Sequence, residues 1–131
     1  MRIDDFKLID EDLKKRKIPY AVKKVVYSIL DKKGEKIVVL KLKGICEFTD
    51  FMVICSGGSS RQNKAISDDI QRMLKKELKI KAFSVEGQIS SDWILLDYID
   101  FVVHIFSPEN RKKFSLEKLW MDARRYDFYI A

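Results

Sequence analysis

From Tyr20 onward, Val22, Val25, Val26, Ile29 and Leu30 recur at the spacing of one helix face, and Asp31-Lys32-Lys33-Gly34 reads as a stop with Gly34 as the C-terminal cap. Two largely apolar runs of strand length follow, Ile37–Leu42, interrupted only by Lys41, and Phe51–Cys55. Runs without alternation belong to strands covered on both faces, so these two are expected at the centre of a sheet with helices on either side. Ser59 is placed to cap a long second helix whose apolar stripe is Ala65, Ile66, Ile70, Met73, Leu74 and Leu78. Ile80, Ala82, Phe83 and Val85 suggest a third strand. Trp93–Leu96 and Phe101–Phe106 are β-branched and aromatic runs separated only by Asp97-Tyr98-Ile99-Asp100, which predicts a hairpin. Ser107-Pro108 then starts a helix, with proline where a missing N–H costs nothing. Leu116, Leu119, Trp120 and Ala123 stand at i, i+3, i+4 and i+7 behind Ser115 as an N-cap, so the last helix docks on the sheet with Trp120 in the core. The alternation of elements predicts an α/β fold, a five-stranded mixed sheet flanked by helices.

Pro19 marks a boundary, because proline disfavours helix in the residue before it. Residues 1–19 therefore read as a charged N-terminal appendage, 20–120 as the α/β domain, and 121–131 as a C-terminal extension of the last helix. A chain of 131 residues, 47% hydrophobic and 35% charged, is one globular domain with a core of its own rather than a disordered segment. Its longest apolar runs fall far short of the ~20 residues that a membrane span requires. The N-terminus lacks an apolar signal core and is too acidic for an organelle transit peptide, which makes the cytosol the expected address and excludes a membrane partner. Cys46 and Cys55 flank a strand without a histidine or second cysteine at metal spacing, so both are expected as thiols, with no disulfide and no metal. The net charge of +6 suggests affinity for something acidic, an RNA among the candidates. Its lysines are dispersed among acids, however, and a solvated surface accounts for each pair.

The loop Ser56-Gly57-Gly58-Ser59-Ser60-Arg61 lies between a strand and a helix, where backbone N–H groups could cradle a phosphate. Glycine also serves that tight geometry with no ligand at all. A nucleotide-transferring enzyme would need an acid-apolar-acid pair to hold Mg²⁺, and none is present: Asp97 and Asp100 share a turn, and Asp68-Asp69 sit in a helix. His104 is the single histidine and alternation puts it with Val102 and Phe106 on one strand face, so it reads as a hydrogen-bonded structural residue. No catalytic constellation emerges and no cofactor is implied. Trp93, Tyr98 and Phe101 cluster around the hairpin, and aromatics are enriched in protein–protein hot spots; composition leaves Trp93 and Tyr98 evenly divided between core and interface.

An ordered set of pieces resembles the ribosomal silencing factor (Iojap-like) family across Val22 to Trp120. The pieces are Thr49-Asp50, the strand ending in Ser59-Ser60-Arg61, Glu86-Gly87, Trp93, Asp97, Asp100, the run Val103-His104-Ile105-Phe106, Arg111, and Leu116-Glu117-Lys118-Leu119-Trp120. The resemblance implies a nucleotidyltransferase-like fold without the catalytic carboxylates. It implies a non-enzymatic protein that binds a large-subunit ribosomal protein of the uL14 type at the subunit interface and blocks joining of the small subunit. It tilts the aromatic cluster towards an interface, so the partner-binding residues expected are Trp93, Asp97, Tyr98, Asp100, Phe101, Arg111 and Glu117. The rival is a nucleotidyltransferase-like enzyme using Gly57-Gly58-Ser59. A homodimer through a sheet edge or helix face is open to so small a domain. Two positions depart from the family: Ile99 stands where a glycine is usual, and Lys113-Phe114 where an aromatic pair is common.

Overall fold

The computed structural model describes residues 18–128. Helix α1 forms at Tyr20–Asp31 and buries Val22, Val25, Val26, Ile29 and Leu30, as the periodicity requires. Its end differs from expectation: the left-handed residue is Lys33 (φ 62°), one position before Gly34, whose N–H returns to the carbonyl of Ile29 at 2.8 Å. Strand β1 (Glu35–Lys41) and strand β2 (Phe51–Ser56) follow, then α2 (Ser60–Leu78). Ser59 caps α2 through its hydroxyl, which accepts from Gln62 N at 3.1 Å. Strand β3 (Ser84–Glu86) is shorter than the sequence suggests, leaving Phe83 73% exposed outside it. The predicted hairpin is β4 (Trp93–Asp97) with β5 (Phe101–Phe106). Helix α3 (Pro108–Phe114) begins as expected, with Ser107 Oγ accepting from Asn110 N.

The C-terminal region corrects the sequence reading twice. Ser115 adopts a left-handed φ of 43° and gives no side-chain cap, so the last helix, α4, is only Leu116–Leu119. Beyond it Arg124–Phe128 is a sixth strand, β6, antiparallel to β1 with Ile37 opposite Phe128, and not an extension of the helix. The cause is backbone satisfaction: without β6 the outer N–H and C=O groups of β1 would be an unpaired edge. The sheet thus has six strands, in the order β3-β4-β5-β2-β1-β6. Only β2 and β5 run parallel, through a crossover that contains α2.

The two faces of the sheet are unequally covered. Helices α1 and α2 seal one face, where Val39, Val53, Cys55, Leu96, Val103 and Ile105 are fully buried. On the other face Val38, Leu40, Met52, Ile54 and Phe106 are covered by Leu116, Trp120 and Ala123 from the short α4 and the turn after it. Trp120 is accordingly half-buried at the margin of this second cluster rather than central to a core. The largely apolar runs of β1 and β2 correctly indicated burial on both sides, but long helices supply it on only one. No helix among the described residues is long and apolar enough to cross a membrane.

Candidate functional site: the open half of the sheet

The β4–β5 half of the second face has the least cover. Cross-strand register pairs Trp93 with Phe106, Leu95 with His104 and Asp97 with Val102, and directly opposed residues share a face. Trp93, Leu95, Asp97 and Val102 are all half-buried, a strip of apolar surface closed at one end by a carboxylate. Trp93 is held from several directions. Its ring lies 4.8 Å from that of Phe106 and 4.5 Å from that of Phe114, centroid to centroid. Its Nε1 donates to His104 Nδ1 at 2.9 Å. That bond needs an unprotonated Nδ1, and burial pushes the His104 imidazole down to about 4, so the acceptor persists at neutral pH. Gly87 makes room for the strand start: its φ is +83°, and a Cβ there would stand 1.9 Å from the Trp93 carbonyl oxygen.

The seven residues expected at a partner surface fall into three groups. Trp93 and Asp97 lie on the open strip. Asp100, in the turn beyond it, is exposed and its carbonyl accepts from Asp50 N at 3.0 Å. Tyr98 and Phe101 are instead buried on the helix-covered side, 9% and 5% exposed, and stack on each other at 5.0 Å. They offer no free surface; burial also pushes the Tyr98 hydroxyl up to about 12. Arg111 and Glu117 form a third group, a largely enclosed ion pair in which Arg111 Nε donates to Glu117 Oε1 at 2.8 Å and Nη1 to Ser56 Oγ at 3.3 Å. This pair ties α3 to α4 and to the end of β2. Antiparallel pairing puts Trp93 at the Arg111 end of the sheet and Asp97 at the other, roughly 13 Å apart at ~3.3 Å per residue.

Sequence reasoning missed Leu95, Val102 and Phe114. The first two were legible from alternation once Trp93 and His104 were put on one face; Phe114 was noted only as a departure. It missed a second apolar group as well. The loop before β2 is hydrogen-bonded to the β4–β5 turn, and together they expose Ile45 (47%), Phe48 (88%) and Ile99 (56%) among Glu47, Asp50, Asp97 and Asp100.

Both glycine N–H groups of the turn are engaged internally. Gly58 N–H donates to Gln62 Oε1 at 2.6 Å, Gly57 N–H to the Phe106 carbonyl at 3.2 Å, and Gln62 N–H to Ser59 Oγ. A Cβ on Gly57 would meet Asn63 Oδ1 at 2.2 Å, and Asn63 Nδ2 in turn holds the Ser91 carbonyl at 2.8 Å. The turn is therefore built to pack α2 against the loop before β4. No group of three or more His, Cys, Asp or Glu among the described residues could hold a metal ion.

Residues 15–130 match the profile of the family described as ribosomal silencing factor during starvation. The chain belongs to the ribosomal silencing factor family. It is 39% identical over 99 residues to the ribosomal silencing factor of Halalkalibacterium halodurans, covering 75% of this chain and 83% of that protein. It is 39% identical over 93 residues to the Bacillus subtilis factor, covering 71% and 78%. The mouse protein named mitochondrial assembly of ribosomal large subunit protein 1 is 31% identical over 110 residues, covering 82% of this chain and 47% of that one. A crystal structure of a protein from Chromobacterium violaceum superposes with a TM-score of 0.74 at 30% identity, covering 85% and 91%. Family members are named for silencing ribosomes, a regulatory role rather than a catalysed reaction. The family match runs past Trp120 and takes in β6, further than the sequence pieces suggested.

The β4–β5 turn carries backbone strain. Ile99 occupies the glycine-favoured position at φ 72°, a left-handed conformation that a β-branched residue rarely adopts, with its N–H held by Asp97 Oδ1 at 2.8 Å. Relief of that strain outweighs the extra chain entropy of glycine, so Ile99→Gly is expected to stabilise the fold by roughly 0.5–1 kcal/mol. A urea unfolding midpoint that rises bears this out, and one that falls shows that the Ile99 side chain packs more than its exposure implies.

Proposed function

We propose that the protein represses translation in the cytosol by docking on a uL14-type protein of the large ribosomal subunit, where it occupies space that the small subunit needs. The observation that carries this reading is the strip of Trp93, Leu95 and Val102 left open on a sheet that is otherwise covered. Trp93 and Phe114 act as rigid aromatic anchors, since a ring held on several sides loses little freedom on binding. Asp97, Asp100, Asp50 and Glu47 give one end of the surface a negative rim on a protein of net charge +6, which favours a basic protein over a phosphate backbone there. The Arg111–Glu117 pair acts indirectly, fixing α3 so that Phe114 stays against Trp93. Tyr98 and Phe101 support the turn from inside. The large subunit is favoured as the target because the mouse relative is named for assembly of that subunit.

Pelleting the protein with separated ribosomal subunits tests the docking step. Co-sedimentation with large subunits alone is expected, and equal recovery with both subunits would remove the proposed partner.

A further inference from the structure

We infer that the C-terminal half of α2, together with the turn that follows it, is a contact surface for an RNA phosphate backbone, separate from the strip that docks protein. Arg72, Lys75, Lys76 and Lys79 stand at i, i+3, i+4 and i+7, one continuous helix face. Lys79 ends the helix in a left-handed conformation (φ 59°), and Ile80 N–H returns to the Leu74 carbonyl at 3.3 Å. The chain therefore folds back and brings Lys81 to the same place. The outcome is a shallow groove of about 530 Å³ lined by Arg72, Lys75, Lys76, Lys79, Ile80 and Lys81, in which every side chain but one is a cation.

Two of the three acids on α2 are engaged in ion pairs. Glu77 pairs with Lys24 at 3.0 Å and Asp69 with Arg72 at 2.8 Å. Lys75, Lys76, Lys79 and Lys81 are all exposed and have no acidic partner among the described residues. A lysine or two in the last turn of a helix is what the macrodipole favours. Four lysines without an acidic partner among the described residues, gathered in one groove, exceed that need, and their summed field favours a polyanion. The core side of α2, through Ile66, Ile70 and Leu74, faces the sheet surface opposite the open strip. The groove thus looks away from Trp93, and both surfaces can be occupied at once. Placing ribosomal RNA in the groove rests on the silencing reading above; affinity for an RNA backbone does not.

The test is Lys75→Gln/Lys76→Gln/Lys81→Gln, which spares the left-handed Lys79 and should unfold like the parent because all three side chains are exposed. Binding is followed by fluorescence anisotropy against an A-form RNA duplex across a salt series, with anionic phospholipid vesicles as a parallel probe and large-subunit pelleting of the same proteins. The parent is expected to bind the duplex, and the variant to lose roughly 2 to 3 from the steepness of log K against log salt and on the order of tenfold or more in low-salt affinity. A variant with the parent's affinity and slope overturns the proposal, as does a parent that ignores the duplex or prefers vesicles to it. A parent that pellets with large subunits but ignores the duplex leaves protein docking standing and removes the phosphate contact. One that binds the duplex but not large subunits supports the contact and sinks the docking reading.

Discussion

Replacing Trp93 with alanine is expected to weaken large-subunit binding by about 2 kcal/mol or more, roughly thirtyfold, and to cost about 2–3 kcal/mol of folding stability. Both effects follow from its position. The ring is half-buried, so truncation removes less packing than at a sealed core site, yet it touches Phe106, Phe114 and His104 and its loss strips the Arg111 end of the strip of its largest apolar group. Trp93→Phe separates the two effects. It retains a ring against Phe106 and Phe114 but leaves His104 Nδ1 without its donor, a loss of about 1 kcal/mol in stability with most binding retained. Denaturant unfolding and subunit pelleting on the same preparations, at a temperature where all three proteins are folded, distinguish the outcomes. An alanine variant that binds like the parent would remove Trp93 from the surface.

What the sequence could and could not reveal follows from how local each determinant is. Strand β2 announced itself because both its faces are buried, and alternation in β5 correctly put Val102, His104 and Phe106 together. Which of the two faces stays open is a property of the long helices' placement, and no residue within β5 encodes it. Phe101 was therefore assigned to an interface although it shares the sealed face with Val103 and Ile105. The burial of Tyr98 was illegible for the same reason, since a turn position looks exposed until a stacking partner covers it. Strand β6 was hidden by coincidence: Leu116, Leu119, Trp120 and Ala123 have helical spacing, and only the left-handed Ser115 and the open edge of β1 reveal a turn into a strand. The family resemblance, resting on ordered pieces rather than on periodicity, was the part of the functional reading that a sequence could carry.

His104 should make the fold sensitive to acid by an amount that a single substitution can isolate. Burial holds its imidazole near 4, below the ordinary 6.5 that the unfolded chain has. The folded state thus disfavours the proton: stability is complete above about pH 6.5, declines as the pH falls towards 4, and is flat with respect to this group below that. The contribution lost over the window is about 3 kcal/mol at most. Carboxylates titrate in part of the same range, so the parent must be compared with His104→Gln, which keeps an acceptor for Trp93 Nε1 but carries no titrating group. Urea unfolding between pH 7.5 and 4 is expected to show the parent losing about 3 kcal/mol more than the variant. Parallel curves for the two proteins would mean that the imidazole is protonated in the fold without penalty.

If the protein silences by occupying a surface on the large subunit, subunit joining followed by light scattering reads that occupation out. The protein is preincubated with either large or small subunits before the other is added. Suppressed joining is expected only after preincubation with large subunits, with Trp93→Ala unable to suppress it at matched concentration. Joining that proceeds unhindered while the protein remains bound to the large subunit would contradict occlusion outright.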